Sequence, residues 1–193
     1  HRRRAHATHL LLRVQDGARP PGARAVRRGV PMDPEAWCGP ATLEHAGVLE
    51  EIHRDYIAVG ADIVTANTYA SSRLMLGPAG FSDQFEEINR TAIGAAHRAQ
   101  AASMRDDVLV AGSLSHMSPM VRNTAQAELA RMPSEGEMAD AFGEQAMLLR
   151  SEGCDLILLE MMYDPDRLSL AFNAAIDTGL PVWVGFSARH SED

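Results

Sequence analysis

Gly60-Ala61-Asp62-Ile63-Val64-Thr65-Ala66-Asn67 and Gly153-Cys154-Asp155-Leu156-Ile157-Leu158-Leu159-Glu160 are two copies of one pattern. Each runs Gly-x-Asp, then an apolar run, then one hydrogen-bonding side chain at the same offset. The glycine suits the end of a preceding helix, because it accepts the left-handed cap conformation. The apolar run fits a strand buried on both faces, as in a parallel sheet. Asn67 and Glu160 then fall at the C-terminal ends of their strands. That is the end at which β/α barrels build active sites, so both are candidate site residues.

The same alternation extends in both directions. A first strand is expected over 10–15, ending at Asp16-Gly17, and a loop rich in Pro, Gly and Arg follows. A helix is expected from about Val48 to Val59, with Val48, Leu49, Ile52, Tyr56 and Val59 on one stripe. The second strand is expected over 62–67. A helix starting near Ser82 carries Phe85, Ile88, Ala92 and Ala96 on one face. The third strand is expected over 108–114. Ser134-Glu135-Gly136-Glu137 reads as a capping box opening a helix whose buried stripe is Met138, Ala141, Phe142, Ala146 and Leu149. The fourth strand is expected over 155–160. A further helix has Asp164 as N-cap and Pro165 at its first position, and ends before Gly179 and Pro181. The fifth strand is expected over 181–186.

Strict β-α alternation argues for an α/β fold with a parallel sheet. Helix-to-strand turns such as Val59-Gly60-Ala61 are tight, whereas the strand-to-helix segments 68–81 and 115–133 are long. Loops of that length are usually functional, and these emerge at the C-terminal ends of the strands. Five strands suit either a five-stranded doubly wound sheet, as in flavodoxin-like folds, or part of an eight-stranded barrel. The pattern alone leaves both open.

Composition narrows the function. The chain has 193 residues, a net charge of −8 and 46% hydrophobic residues, as one globular domain would. The acidic balance argues against a nucleic-acid surface, and no apolar run reaches the ~20 residues of a membrane-spanning helix. Two cysteines make no disulfide framework, so a reducing cytoplasm is expected. The arginine-rich start reads as a solvated face, with residues 1–9 expected to be disordered. Phosphate-binding, dinucleotide-binding and serine-hydrolase motifs do not occur.

Three further segments join the first pattern. Glu51-Ile52-His53-Arg54-Asp55-Tyr56-Ile57 precedes the Gly60–Asn67 run, which continues Thr68-Tyr69, and Val110-Ala111-Gly112-Ser113-Leu114 and Leu159-Glu160 follow in order. Together they resemble the homocysteine S-methyltransferase family, zinc-dependent enzymes that include betaine–homocysteine methyltransferase. Asp16-Gly17-Ala18, Gly29-Val30 and Trp37 resemble its opening block, and Leu180-Pro181-Val182-Trp183-Val184 its fifth strand. The resemblance covers roughly residues 10–190. It implies a TIM (β/α)8 barrel, here truncated to about its first five βα units, with 1–193 as one partial homocysteine-binding domain.

The implied activity is methyl transfer to the sulfur of homocysteine, giving methionine. The implied partners are homocysteine and a small-molecule donor of the S-methylmethionine, S-adenosylmethionine or betaine type. Asp16, Gly17, Asn67, Thr68 and Glu160 match the substrate-binding positions, and no residue is assigned as catalytic. Asp16 and Glu160 would hold the homocysteine ammonium, since a cation leaving water needs carboxylates. The family's zinc deprotonates the thiol, and the thiolate is the nucleophile. Its three cysteine ligands have no counterpart here. Cys38 lies in the first loop, and Cys154 opens the fourth strand, roughly 20 Å from Glu160. Zinc ligands are therefore expected outside these residues, and the chain alone is expected to be inactive. The family's Asp-Gly-Ala-Met-Gly-Thr is replaced by Asp16-Gly17-Ala18-Arg19-Pro20-Pro21.

Blander roles are expected elsewhere. Asp62 and Asp155, at strand starts, read as structural. His53 reads as a packing or surface histidine and His116 as a solvated loop histidine. Met117, Met120, Met161 and Met162 read as gap-filling packing. The alternative to an enzyme is a non-catalytic truncated barrel that binds an amino acid or self-associates through its open strand edges.

Overall fold

The structure, a computed structural model, describes residues 21–119 and 128–187. The expected first strand, together with Asp16 and Gly17, lies outside the described residues. Four parallel strands follow the order of the chain: β1 (Ile63–Thr65), β2 (Leu109–Ser115), β3 (Leu156–Met162) and β4 (Val182–Phe186). They correspond to the expected second to fifth strands. Consecutive strands are neighbours throughout. In a flavodoxin-like sheet the second and third strands are separated by the first. The pairing of Ile63–Thr65 with Leu109–Ala111 therefore overturns the doubly wound alternative.

Six α-helices accompany the described strands: α1 (Pro21–Arg27), α2 (Ala41–Ala58), α3 (Arg73–Leu76), α4 (Phe85–Ala102), α5 (Glu135–Ser151) and α6 (Pro165–Ile176). Two lie in segments expected to be loop, α1 and the single turn α3. Another difference is the start of α2, seven residues before the expected Val48. Residues 41–47 carry no apolar stripe, and the helix is kinked at His45 (φ −123°, ψ 26°), which hides it from a periodicity reading. The remaining helices follow their signals. Ser134 accepts from the Glu137 N–H while the Glu137 carboxylate accepts from the Ser134 N–H, completing the capping box. Asp164 accepts from the Arg167 N–H at 3.0 Å ahead of Pro165. Gly60 and Gly153 sit at φ 97° and 84°, as helix-ending glycines must to turn the chain into β1 and β3.

The main core lies between the sheet and its helices. Val64, Val110, Leu114, Ile157 and Leu159 point outward onto Ile93, Ala96 and Ala99 of α4, Phe142 and Leu149 of α5 and Ala171 and Ala175 of α6. Gly112 permits this closeness. A Cβ there would meet Leu149 and Cys154 at 3.0–3.1 Å. On the other face Ile63, Ala111 and Leu156 form a small apolar cluster. Higher on that face come Ser113, Ser115 and Glu160. The inner surface thus changes from apolar to polar toward the C-terminal ends of the strands.

Structural bonds close the N-terminal end. Arg105 donates to the Ala61 carbonyl at 3.0 Å and pairs with Asp62 and Asp107 at 2.8 Å. Asp155 accepts from the Val110 N–H at 2.7 Å. Asp62 and Asp155 therefore hold strand starts together. Ser134→Ala is expected to lower unfolding stability by about 1 kcal/mol, the usual cost of losing such a cap, measured by urea denaturation.

Candidate functional site

At the C-terminal end of the sheet, β1 leaves the ladder after Thr65 while β2 continues to Ser115. Ser113 then faces β1 with no strand opposite. Thr68 fills the gap: its hydroxyl donates to the Ser113 carbonyl (2.8 Å) and accepts from the Ser113 N–H (3.0 Å). Ser113 in turn donates from its hydroxyl to Glu160 Oε2 at 2.5 Å. Thr68, Ser113 and Glu160, from three successive strand ends, thus form one hydrogen-bonded row.

Glu160 sits where β3 departs from regular pairing. Leu159 pairs with Val184 and Met162 with Phe186, so two residues of β3 oppose one of β4. Such a bulge re-aims side chains next to functional sites. Met161 takes up the irregularity in the left-handed region, at φ 54°. Its side chain is therefore half-exposed, contrary to the packing role expected for it, and its sulfur accepts from the Tyr69 hydroxyl at 3.7 Å. Met117 and Met162 are buried as expected, whereas Met120 lies outside the described residues.

Burial raises the Glu160 pKa above the ordinary glutamate value, and the Ser113 hydrogen bond opposes the rise. Among the described residues no ion pair neutralises this carboxylate. Burial also raises the Tyr69 pKa, with help from the Glu160 carboxylate. Beside this acid lies an apolar wall. Trp37 stacks on Tyr69 with centroids 6.4 Å apart, and Met75 and Met117 pack against both.

Asn67 and Thr68 are both buried at the rim of β1. The Asn67 amide donates to the Cys38 carbonyl (3.2 Å) and the Thr42 hydroxyl (3.0 Å), and its Oδ1 accepts from the Cys38 thiol (3.3 Å). Its polar atoms therefore tie the turn before α2 to the end of β1. Of the five sequence-predicted site residues, Thr68 and Glu160 are brought together through Ser113, Asn67 stands beside them, and Asp16 and Gly17 lie outside the described residues.

Ser113 was missed by the sequence reading. Its signal is a pair of serines two residues apart in an otherwise apolar strand, on the face that β2 shares with Glu160. His116 corrects an expectation: it is 1% exposed, not solvated. Its Nε2 accepts from the N–H groups of Tyr163 and Asp164 at 3.2 and 3.3 Å, and its ring packs edge-on against Tyr163. Burial, aided by Arg167, holds its pKa down at about 4, so the ring is neutral and can accept both bonds. It pins the turn that follows Glu160 and Met162.

The described residues do not fit zinc. Among the described residues no three His, Cys, Asp or Glu side chains are grouped to hold a metal. Burial pushes the Cys38 thiol up to about 11 and the Cys154 thiol to about 12. Neither is poised as a thiolate, and Cys154 packs at the N-terminal side of the sheet.

The fold matches that of the homocysteine methyltransferase MmuM from Escherichia coli. Its metallated crystal form aligns with a TM-score of 0.73 at 16% identity, covering 95% of this chain and 65% of that one. The oxidised form gives 0.72 at 16% identity, with coverage of 95% and 64%. The chain thus spans slightly less than two thirds of the length of these structures. The sequence profile of homocysteine S-methyltransferases matches residues 16–193. By that match, over nearly its whole length, the chain belongs to the homocysteine S-methyltransferase family.

Proposed function

We propose that this chain forms the amino-acid-binding part of a homocysteine S-methyltransferase, in which Glu160 receives the ammonium group of homocysteine. One observation carries the reading. Glu160 is a largely buried carboxylate at the C-terminal end of a parallel strand, held by one serine hydroxyl and unpaired with any cation among the described residues. A carboxylate so placed gains most from a cation that a ligand delivers. The adjacent Trp37 and Tyr69 rings, backed by the buried Met75 and Met117, suit the methylenes and sulfur of the same amino acid. Asp16 with Gly17 is assigned the second acidic contact on the family resemblance, and Asn67 and Thr68 the frame of the rim.

In the proposed reaction the homocysteine sulfur attacks the methyl carbon of an onium donor of the S-methylmethionine, S-adenosylmethionine or betaine type. The new S–C bond forms as the donor's C–S or C–N bond breaks, its electron pair leaving with the donor. The thiol proton passes to solvent, and methionine results. This chain's share is to fix the amino-acid end, which brings the sulfur to one place relative to the donor. Because no group among the described residues fits zinc, thiol activation is assigned to residues outside them.

The sequential sheet is read as consecutive staves of a (β/α)8 barrel, with the first five βα units in this sequence. The exposure of Phe186 (76%) and Trp183 (37%) on β4 supports further strands beyond it, from the rest of the barrel or by self-association. No helix of the described residues is long and apolar enough to cross a membrane. A cytoplasmic location is proposed from the two free thiols.

Glu160→Gln keeps an acceptor for Ser113 but removes the charge. It is expected to weaken homocysteine binding by about tenfold or more, the scale of a lost charge-assisted hydrogen bond, as read by calorimetry. Its effect on stability has the opposite sign. A glutamate whose folded pKa is raised contributes stability fully present below its unfolded pKa and lost as pH rises through the folded value. The variant is therefore expected to melt higher than wild type at pH 7 and to converge with it in acid. A lower melting temperature at pH 7 would identify Glu160 as a structural ion-pair partner and sink the reading. The 193-residue chain alone is further expected to form no methionine from homocysteine with any of the three donor types. Turnover would overturn the assignment of thiol activation to other residues.

A further inference from the structure

We infer that Gln145 of α5, together with Asn89 of α4, is a positioning residue for Glu160, acting through Thr68 and Ser113. The inference rests on the reading of Glu160 given above. Both side chains are fully buried polar groups on helix faces that otherwise pack apolar atoms against the sheet. Gln145 Nε2 donates to the Thr68 carbonyl at 2.8 Å and reaches the Ser71 hydroxyl at 3.3 Å. The single Ser71 O–H lies within donating reach of both the Thr68 carbonyl (2.9 Å) and Asn89 Oδ1 (2.7 Å). Asn89 Nδ2 donates to the carbonyls of Ser71 and Phe85 at 2.9 and 2.8 Å. Two helices thus grip the backbone of residues 68–71 directly behind the Thr68 hydroxyl. That hydroxyl holds both peptide groups of Ser113, and Ser113 holds Glu160.

Stability does not account for Gln145. Its Oε1 is buried with no hydrogen-bond partner among the described residues, and an unpaired buried carbonyl oxygen is costly. A methionine of nearly the same length would fill the space without that oxygen. The Thr68 carbonyl would still have the Ser71 hydroxyl within donating reach. What such a change removes is the α5 anchor on the Thr68 peptide. With that anchor gone, the Thr68–Ser113 clip gains freedom, and the Ser113 hydroxyl is no longer held on the Glu160 carboxylate. Losing a hydrogen bond to the charged form raises a carboxyl pKa.

The test is Gln145→Met in the full 193-residue chain, with Ser113→Ala as reference. Thermal melting, the titration of the ¹³C-labelled Glu160 carboxyl by NMR and homocysteine binding by calorimetry are read in parallel. The expected result is a melting temperature within a few degrees of wild type and a Glu160 midpoint raised in the same direction as in Ser113→Ala. No further rise is expected in the double variant, because both changes break one path. Homocysteine affinity should fall by about tenfold, as for one lost hydrogen bond to a charged group. An unchanged Glu160 titration in folded Gln145→Met overturns the inference. Because the titration needs no ligand, it decides the inference even where wild type binds no homocysteine, a result that sinks the Glu160 reading separately. Should Gln145→Met not fold, Ser71→Ala severs the second anchor on the Thr68 carbonyl and is read by the same titration.

Discussion

Thr68 closes the sheet where its backbone stops doing so. β1 provides three ladder residues, so the Ser113 peptide, two residues above the last position paired with β1, has no strand on that side. A buried N–H and carbonyl left there would each carry the cost of lost solvation. One threonine hydroxyl satisfies both, because it can donate and accept at once. β1 is thereby free to turn away early into residues 66–72. Everything above the sheet depends on that substitution of a side chain for a strand, including the serine that reaches Glu160.

The two ends of the sheet solve opposite problems. At the N-terminal end Asp62 and Asp107 pair with Arg105, and Asp155 accepts from the Val110 peptide. At the C-terminal end Glu160 is held by a neutral hydroxyl, which fixes the carboxylate without neutralising it. Burial then works against ionisation while the hydrogen bond works for it. The bulge at Met161 adds a left-handed residue to this arrangement, at a cost of about 1–2 kcal/mol for an L side chain. Irregular backbone and a carboxylate with no ion-pair partner among the described residues therefore coincide at one residue pair. Such features persist only where the surrounding structure over-determines them.

Signals that depend on periodicity or local capping were legible in the sequence. The Gly-x-Asp-apolar repeat located β1 and β3. Ser134 and Glu137, like Asp164 and Pro165, marked helix starts because their bonds are made within four residues. Features created by tertiary contacts were not legible. Residues 41–47 look irregular because the kink at His45 breaks the stripe, yet they are helical. His116 looks like a solvated loop residue until the turn after β3 folds over it. Glu160 was legible because strand ends can be read from the apolar run that precedes them. Ser113 was not, because its partner lies 47 positions away and only the strand register brings the two together.

Gln145 and Asn89 show why a site of this kind reaches into the helices. A side chain on a strand is oriented by its pleat only while the ladder continues, and at the mouth the ladder has ended. Orientation must then come from elsewhere, and the nearest rigid bodies are α4 and α5, packed on the outer face of the same strands. Apolar contacts from these helices could fill the space behind residues 68–71 but could not fix a peptide's rotation. A hydrogen bond to the Thr68 carbonyl can, because it is directional. The buried amides are thus the means by which the rigidity of the helical layer is carried across the sheet's edge to a carboxylate on its other face.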